Sequence, residues 1–261
     1  RLLPPSPRAG VVENFSRTIA ACDGDVIILS DQDDIWHEHR VRDLANALAG
    51  NASLLLVHSN ARLIDEHNKV LAQNLFQYLR LTPQRLLNLN STRSLAELVR
   101  GNVVTGATTA VRKELYTMAQ PFSPLWLHDE WLGLIAAAQL RTKTIPDMLI
   151  DYRQHDKNVI GAGKKSFRYW LGFFLASRQG RNKQALDRLD ALLVHLGTLS
   201  VKEESINLLR QWRAFEFERS QLSVNRLGRI DSAIRLYRAG KYRQFRVQPW
   251  REFLRDLTCR A

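Results

Sequence analysis

With 261 residues, 45% of them hydrophobic, the chain is long and apolar enough to bury a core, which excludes a disordered polymer. Its net charge of +12 is unevenly placed: residues 1–163 hold 17 Lys and Arg against 17 Asp and Glu, whereas residues 164–261 hold 21 against 9. The two cysteines, Cys22 and Cys259, lie far apart without metal-type spacing; this excludes a disulfide framework and fits a reducing compartment. The opening Arg1-Leu2-Leu3-Pro4-Pro5 lacks the apolar core of a signal peptide, and the longest aromatic-apolar run, 169–176, is far short of the ~20 residues that span a bilayer. The charge step predicts two regions, 1–163 and 164–261.

In chain order, Val11 to Cys22 carries Val11, Val12, Phe15, Ile19 and Ala20 at helical spacing. Val26-Ile27-Ile28-Leu29 is a β-branched run bounded by Asp23-Gly24-Asp25 and reads as a buried strand. Ser30-Asp31-Gln32-Asp33-Asp34 follows where that strand ends, with three carboxylates inside four residues. Ligands of open α/β sheets bind at the carboxyl ends of strands. Clustered carboxylates repel unless a cation lies among them, and hard oxygen donors suit Mg²⁺ or Mn²⁺ carrying a phosphate-bearing substrate. On local grounds an acidic turn capping the next helix, with Asp34 as N-cap, fits equally well. Trp36 to Ala49 reads as that helix, with Val41, Leu44, Ala45 and Leu48 on one face.

Leu54 to His58 reads as a neighbouring strand, and Ala61 to Ala72 as a hairpin around the polar turn Asp65-Glu66-His67-Asn68. Residues 73–100 read as helices and loop. Gly101 to Ala110 is rich in Gly, Thr and Val; it suits either a strand or loop lining a cleft, or a sheet edge with a bulge. Arg112 to Met118 reads as a short helix. An apolar helix over 131–140 is preceded by His128-Asp129-Glu130, where the helix dipole favours anions. Thr144 to Asp151 reads as a last strand, and Tyr152-Arg153-Gln154-His155 opens a polar loop.

Beyond Lys164 only helical stripes occur: Phe167, Trp170, Leu171, Phe174; then Leu186, Leu189, Leu193, Leu196; then Ile206, Leu209, Trp212; then Val224, Leu227, Ile230, Ile234. Such stripes are the core of a helical bundle. The first also has Lys164, Lys165, Arg168 and Arg178 beside its aromatics, a pattern suited to an anionic membrane surface, so 164–178 is the predicted membrane contact.

Taken together, Leu29-Ser30-Asp31-Gln32-Asp33-Asp34-Ile35-Trp36, Ala61-Arg62-Leu63-Ile64-Asp65, Gly101-Asn102 with Thr105-Gly106, and His128-Asp129-x-Trp131 followed by Tyr152-Arg153-Gln154-His155-x-x-Asn158-x-x-Gly161 resemble family 2 glycosyltransferases, especially the bacterial rhamnosyltransferase-like branch. The resemblance runs from about Gly10 to Gly163. It implies an α/β chain: a partial GT-A, Rossmann-like mixed sheet flanked by helices, followed by an all-α C-terminal region. It also implies inverting transfer of a sugar, rhamnose most commonly, from a nucleotide diphosphate sugar to a saccharide or lipid-linked saccharide acceptor, in cell-surface polysaccharide or lipopolysaccharide synthesis. By the same resemblance Asp31 lies near the donor, Asp33 is the principal ligand of Mg²⁺ or Mn²⁺, and Asp129 is the catalytic base. Arg153 and His155 fall in the loop that closes over the diphosphate, with His155 a candidate metal ligand. Trp36, Gly106, His128, Glu130 and Trp131 are candidates for the sugar and acceptor pocket, though core packing explains either tryptophan as well.

Relatives start with a βαβ region ahead of anything matched here, so the edge beside Val26–Leu29 is expected to be unpaired. Glu130 stands where relatives often carry an aromatic residue. Two other readings compete: an inactive truncated remnant acting as an interaction module, and a nucleic-acid binder. The second lacks any recognisable motif, so no nucleic acid is expected. The expected location is cytoplasmic, peripheral on the inner face of the plasma membrane.

Overall fold

The computed structural model describes residues 3–4, 10–154, 178–223 and 225–258. The chain forms two compact units, Arg1–Leu98 with Asn102–Gly163, and Val99–Gly101 with Lys164–Ala261. The aromatic-basic stripe at 164–177 and the 155–163 loop, His155 included, lie outside the described residues.

The first unit is a mixed α/β layer. Helix α1 (Val11–Ala20) leads into β1 (Val26–Ile28), the acidic turn, the short strand β2 (Ile35–Trp36) and α2 (Arg40–Ala49). Then come β3 (Leu56–Ile64), α3 (Leu75–Tyr78), α4 (Pro83–Leu89) and α5 (Ser94–Arg100). A 3₁₀ turn at Gly106–Thr108 precedes β4 (Thr109–Arg112), α6 (Lys113–Met118), α7 (His128–Ala138) and β5 (Thr142–Arg153). The sheet order is β1-β4-β3-β5-β2, with β3 and β5 parallel and the other pairs antiparallel. β1 is therefore an edge strand among the described residues, as expected from the sequence.

Local chemistry explains several boundaries. Asn74 and Gln77 form a reciprocal capping box at α3, and Thr82 caps α4 with Pro83 in its first turn. The Lys113 ammonium donates to the carbonyls of Ile19, Ala20 and Cys22, closing the C-terminus of α1. α7 is apolar on nearly every side, and it is buried accordingly. One face of the sheet packs Leu54, Val57, Ala110 and Leu149 against Leu44 and Leu48 of α2. Another cluster joins Ala61, Leu63, Leu75, Ala107 and Ile150. Truncating a leucine in such a core costs about 2–5 kcal/mol.

Three expectations are corrected. The helix expected from Trp36 begins only at Arg40, because Ile35 and Trp36 pair with Asp151 and Ile150 as β2. Its N-cap is His39, not Asp34. The expected strand and hairpin arm are one continuous strand, β3, despite the polar His58-Ser59-Asn60 in its middle. Most of these groups find partners: His58 Nε2 meets Thr144 Oγ1 at 2.9 Å, the Ser59 hydroxyl donates to Asn60 O at 3.0 Å, and Asn60 Oδ1 accepts from the Phe76 N–H at 3.0 Å, while His58 Nδ1 has no hydrogen-bond partner. Only a short return at Ile64↔Val70 remains of the hairpin.

The second unit is helical throughout its described residues: α8 (Arg178–Leu196), α9 (Glu203–Ser220), α10 (Arg226–Arg238), α11 (Lys241–Phe245) and α12 (Pro249–Thr258). Gly240, at φ 74°, takes the left-handed turn between α10 and α11 that a side chain would strain. Leu189, Leu192, Leu196, Leu209 and the Phe215–Tyr242–Phe245 aromatic group are buried. No helix among the described residues is long and apolar enough to cross a membrane.

Candidate active site

The acidic turn hangs between two sheet anchors. Upstream, Leu29 donates its N–H to Thr109 O at 3.0 Å. Downstream, the end of β5 holds the turn from the other side. The Arg153 N–H donates to Asp34 Oδ1 at 2.9 Å, its Nε to Asp33 O at 2.8 Å, and its Nη1 to Asp65 O at 3.0 Å. Arg153 thus organises the backbone of the turn that carries the carboxylates.

Asp129 approaches from another part of the fold. It occupies the first turn of α7 and is 6% exposed. Its Oδ2 accepts from the Gly106 N–H at 2.9 Å, and its Oδ1 from the Glu130 N–H at 2.8 Å. Glycine is required at 106, because a Cβ there would lie 2.8 Å from His128 Nε2 and 3.7 Å from Asp129 Oδ2. Burial raises the Asp129 carboxyl above its ordinary value, partly offset by those backbone donors.

The carboxylates form one electrostatic group. Asp31 is raised first by burial, then by the charges of Asp33 and Asp129, with Arg40 opposing. Asp34 is pushed up to about 6, mainly by burial and further by Asp31 and Asp33, against the Arg153 N–H and Arg40. The Tyr152 hydroxyl is raised by burial and by the charges of Asp31, Asp34, Asp129 and Asp33. Two members escape the sequence reading. Tyr152 lies in a motif already singled out, without a role. Arg40 offers no local signal: it is fully buried, donates to Leu29 O at 3.1 Å and stacks over Trp36 at 4.5 Å. Burial lowers it to about 10, against the pull of Asp34 and Asp31.

The pocket candidates separate. His128 is 7% exposed and stacks on Phe15 with centroids 3.6 Å apart and planes 9° apart. Burial lowers it to about 4, so it is neutral near pH 7, and neither ring nitrogen has a protein hydrogen-bond partner. Trp36 is exposed on β2, and Glu130 is half-buried. Trp131, by contrast, is 1% exposed and donates its indole N–H to Ala119 O at 2.9 Å, so it fills the core beneath the site. Beside the turn, burial alone would raise Asp151, but hydrogen bonds from Arg62 and His37 outweigh it and hold the carboxyl low.

Among the described residues no three His, Cys, Asp or Glu side chains form a ready metal cage. Mg²⁺ does not need one: it is usually held by one or two carboxylates, substrate phosphates and water. The carboxylates of Asp31 and Asp34, raised first by burial and then by their neighbours' charges, and the buried Asp34 Oδ2 that has no partner, fit such a cation.

Residues 5–116 match the family described as glycosyl transferase family 2. The matched span contains the acidic turn and Gly106 and ends before Asp129 and Arg153. No curated protein matches the chain. With a mixed sheet, flanking helices and a helical C-terminal region, the architecture is consistent with a partial GT-A fold. The match supports a glycosyltransferase, a class that takes a nucleotide-sugar donor and a saccharide acceptor.

Proposed function

We propose that this chain carries the catalytic site of an inverting glycosyltransferase. It would move a sugar, rhamnose by resemblance, from a nucleotide diphosphate sugar to an acceptor hydroxyl in cell-surface polysaccharide or lipopolysaccharide synthesis. The observation that carries the reading is the pairing of two carboxylate sets with different surroundings. Asp129 is fixed by two backbone N–H donors, and it is electrostatically coupled to Asp31 of the acidic turn.

In this reading Asp31 and Asp33 face the donor diphosphate, and Asp33 holds Mg²⁺ or Mn²⁺. The cation would neutralise charge that builds on the leaving diphosphate. Asp129 takes the acceptor proton as the hydroxyl oxygen bonds to the anomeric carbon. The bond to the diphosphate oxygen breaks on the opposite face and takes its electron pair with it. A base whose proton affinity is raised by burial is better matched to that transfer. Arg153 keeps the turn in place, and His128 and Trp36 border the sugar and acceptor. The basic C-terminal region would hold the enzyme at the cytoplasmic membrane face, near a lipid-linked acceptor.

The test is turnover of a panel of nucleotide diphosphate sugars, with Mn²⁺, by the full-length protein. Asp129→Asn keeps an oxygen for Gly106 but cannot accept the proton, so turnover should fall by about 10²–10⁴-fold with donor affinity unchanged. Undiminished turnover in Asp129→Asn would remove the proposed base.

A further inference from the structure

Helix α12 is turned the unexpected way round. Its Glu252 and Asp256, one turn apart, face inward onto Arg219 of α9. Arg219 donates from Nε and Nη2 to the two Asp256 oxygens at 2.7 and 2.8 Å, and from Nη2 to Glu252 at 3.2 Å. Tyr242 adds its hydroxyl to Asp256 at 2.7 Å, and Asp256 is fully buried. These bonds fix the rotation of the helix about its axis. Two residues along a helix is roughly half a turn, so Trp250 and Leu254 must point away from the acids.

They do: Trp250 is 58% exposed and Leu254 43%. A water-facing tryptophan and leucine at i, i+4 would ordinarily be the buried stripe of an amphipathic helix. The inward acids are ion-paired, Asp256 with Arg219 and Glu252 with Arg219, Arg246 and Arg255, so they do not oppose an anion outside. Arg251 lies beside the stripe, its guanidinium 5.9 Å from the Trp250 ring. The surrounding region, 164–261, holds 21 basic residues against 9 acidic. An apolar stripe with basic flanks matches a helix that rests in a membrane interface. Near anionic lipid each Lys or Arg adds to the electrostatic attraction.

We infer that the Trp250–Leu254 face of α12 docks on an anionic lipid bilayer, with both side chains entering the interface. This deepens the membrane part of the proposed function and rests on that part alone, not on the transfer chemistry. It adds a contact distinct from 164–178.

The experiment is sedimentation of the full chain with vesicles of phosphatidylcholine alone or mixed with phosphatidylglycerol. The wild type should bind the mixed vesicles, release with salt, and ignore phosphatidylcholine. Trp250→Ser/Leu254→Ser alters only exposed positions and should melt as the wild type does while losing about tenfold in partition. Phe217→Ser, which removes an exposed apolar residue of α9, should bind unchanged. Equal binding by the double variant, or an equal loss in Phe217→Ser, overturns the assignment to α12 while leaving the membrane reading in place. No binding by any form overturns both. Self-association that the double variant abolishes, without vesicle binding, would give this face to a second copy and overturn the proposal.

Discussion

Two buried acidic clusters, one in each unit, handle their charge in opposite ways. In the second, Glu216 and Asp256 are buried, 2% and 0% exposed, yet both are held below their ordinary values. Burial alone would raise them; the charges and hydrogen bonds of Arg219 and Arg246, with Tyr242, outweigh it. In the first, burial raises Asp31, Asp34 and Asp129; neighbouring carboxylates add to the rise at Asp31 and Asp34, where Arg40 only partly opposes it, and backbone N–H donors partly offset it at Asp129. A network that completes its own ion pairs is structural. A cluster left with excess negative charge, and with an unpartnered oxygen on Asp34, is the feature on which the proposed Mg²⁺ or Mn²⁺ site rests.

The sharpest way to break this contrast is Arg219→Met. It removes the arginine hydrogen-bonded to Asp256 and leaves Glu216 only Arg246, and the second unit should lose about 3–5 kcal/mol in a denaturant melt followed by circular dichroism. A smaller loss would mean that Arg246 and Arg255 sustain the network. Next in size, Mn²⁺ with a nucleoside diphosphate at a hundred times its Kd should stabilise the first unit by about 2.7 kcal/mol, seen as a rise in Tm. Asp33→Ala should lose that rise, whereas Glu252→Gln in the second unit should keep it. The smallest effect is expected from Asp34→Asn. An acid raised from 3.8 to about 6 on folding costs nothing when protonated and weakens the fold once ionised. The variant should therefore match wild type in Tm at pH 3, exceed it increasingly as pH rises from 3.8 to 6, and stay above it to pH 7.5. A difference that is constant with pH would place the cause in packing rather than charge.

Much of the first unit was legible because its signals are local. The β-branched 26–29 run predicted β1, three acids in four residues marked the turn, and helical spacing located α1 and α2. Misreadings arose where distant partners decide. Trp36 lies in a strand because β5 pairs with it, and β3 runs through His58-Ser59-Asn60 with Thr144 bonded to His58 Nε2 and the Phe76 N–H to Asn60 Oδ1. For the same reason Arg40 and Tyr152 could not be placed in the site from spacing: their importance comes from burial beside carboxylates brought in by other elements. The outward stripe of α12 was equally hidden, because the same residues would face a core if Arg219 did not claim the acids.

The parallel pairing of β3 with β5 has a consequence for biosynthesis. Arg62 and Asp151, which grip each other across these strands, are 89 residues apart in the chain. At ordinary translation speeds β3 leaves the ribosome roughly 5–20 s before its partner strand exists. Through that interval β3 can pair with β4 on one side, but its other edge stays unmatched. The acidic turn also lacks Arg153, the residue that organises it. The nascent chain therefore has secondary structure well before it has a site, and protecting β3 until Arg153 emerges is a task for whatever escorts the chain off the ribosome.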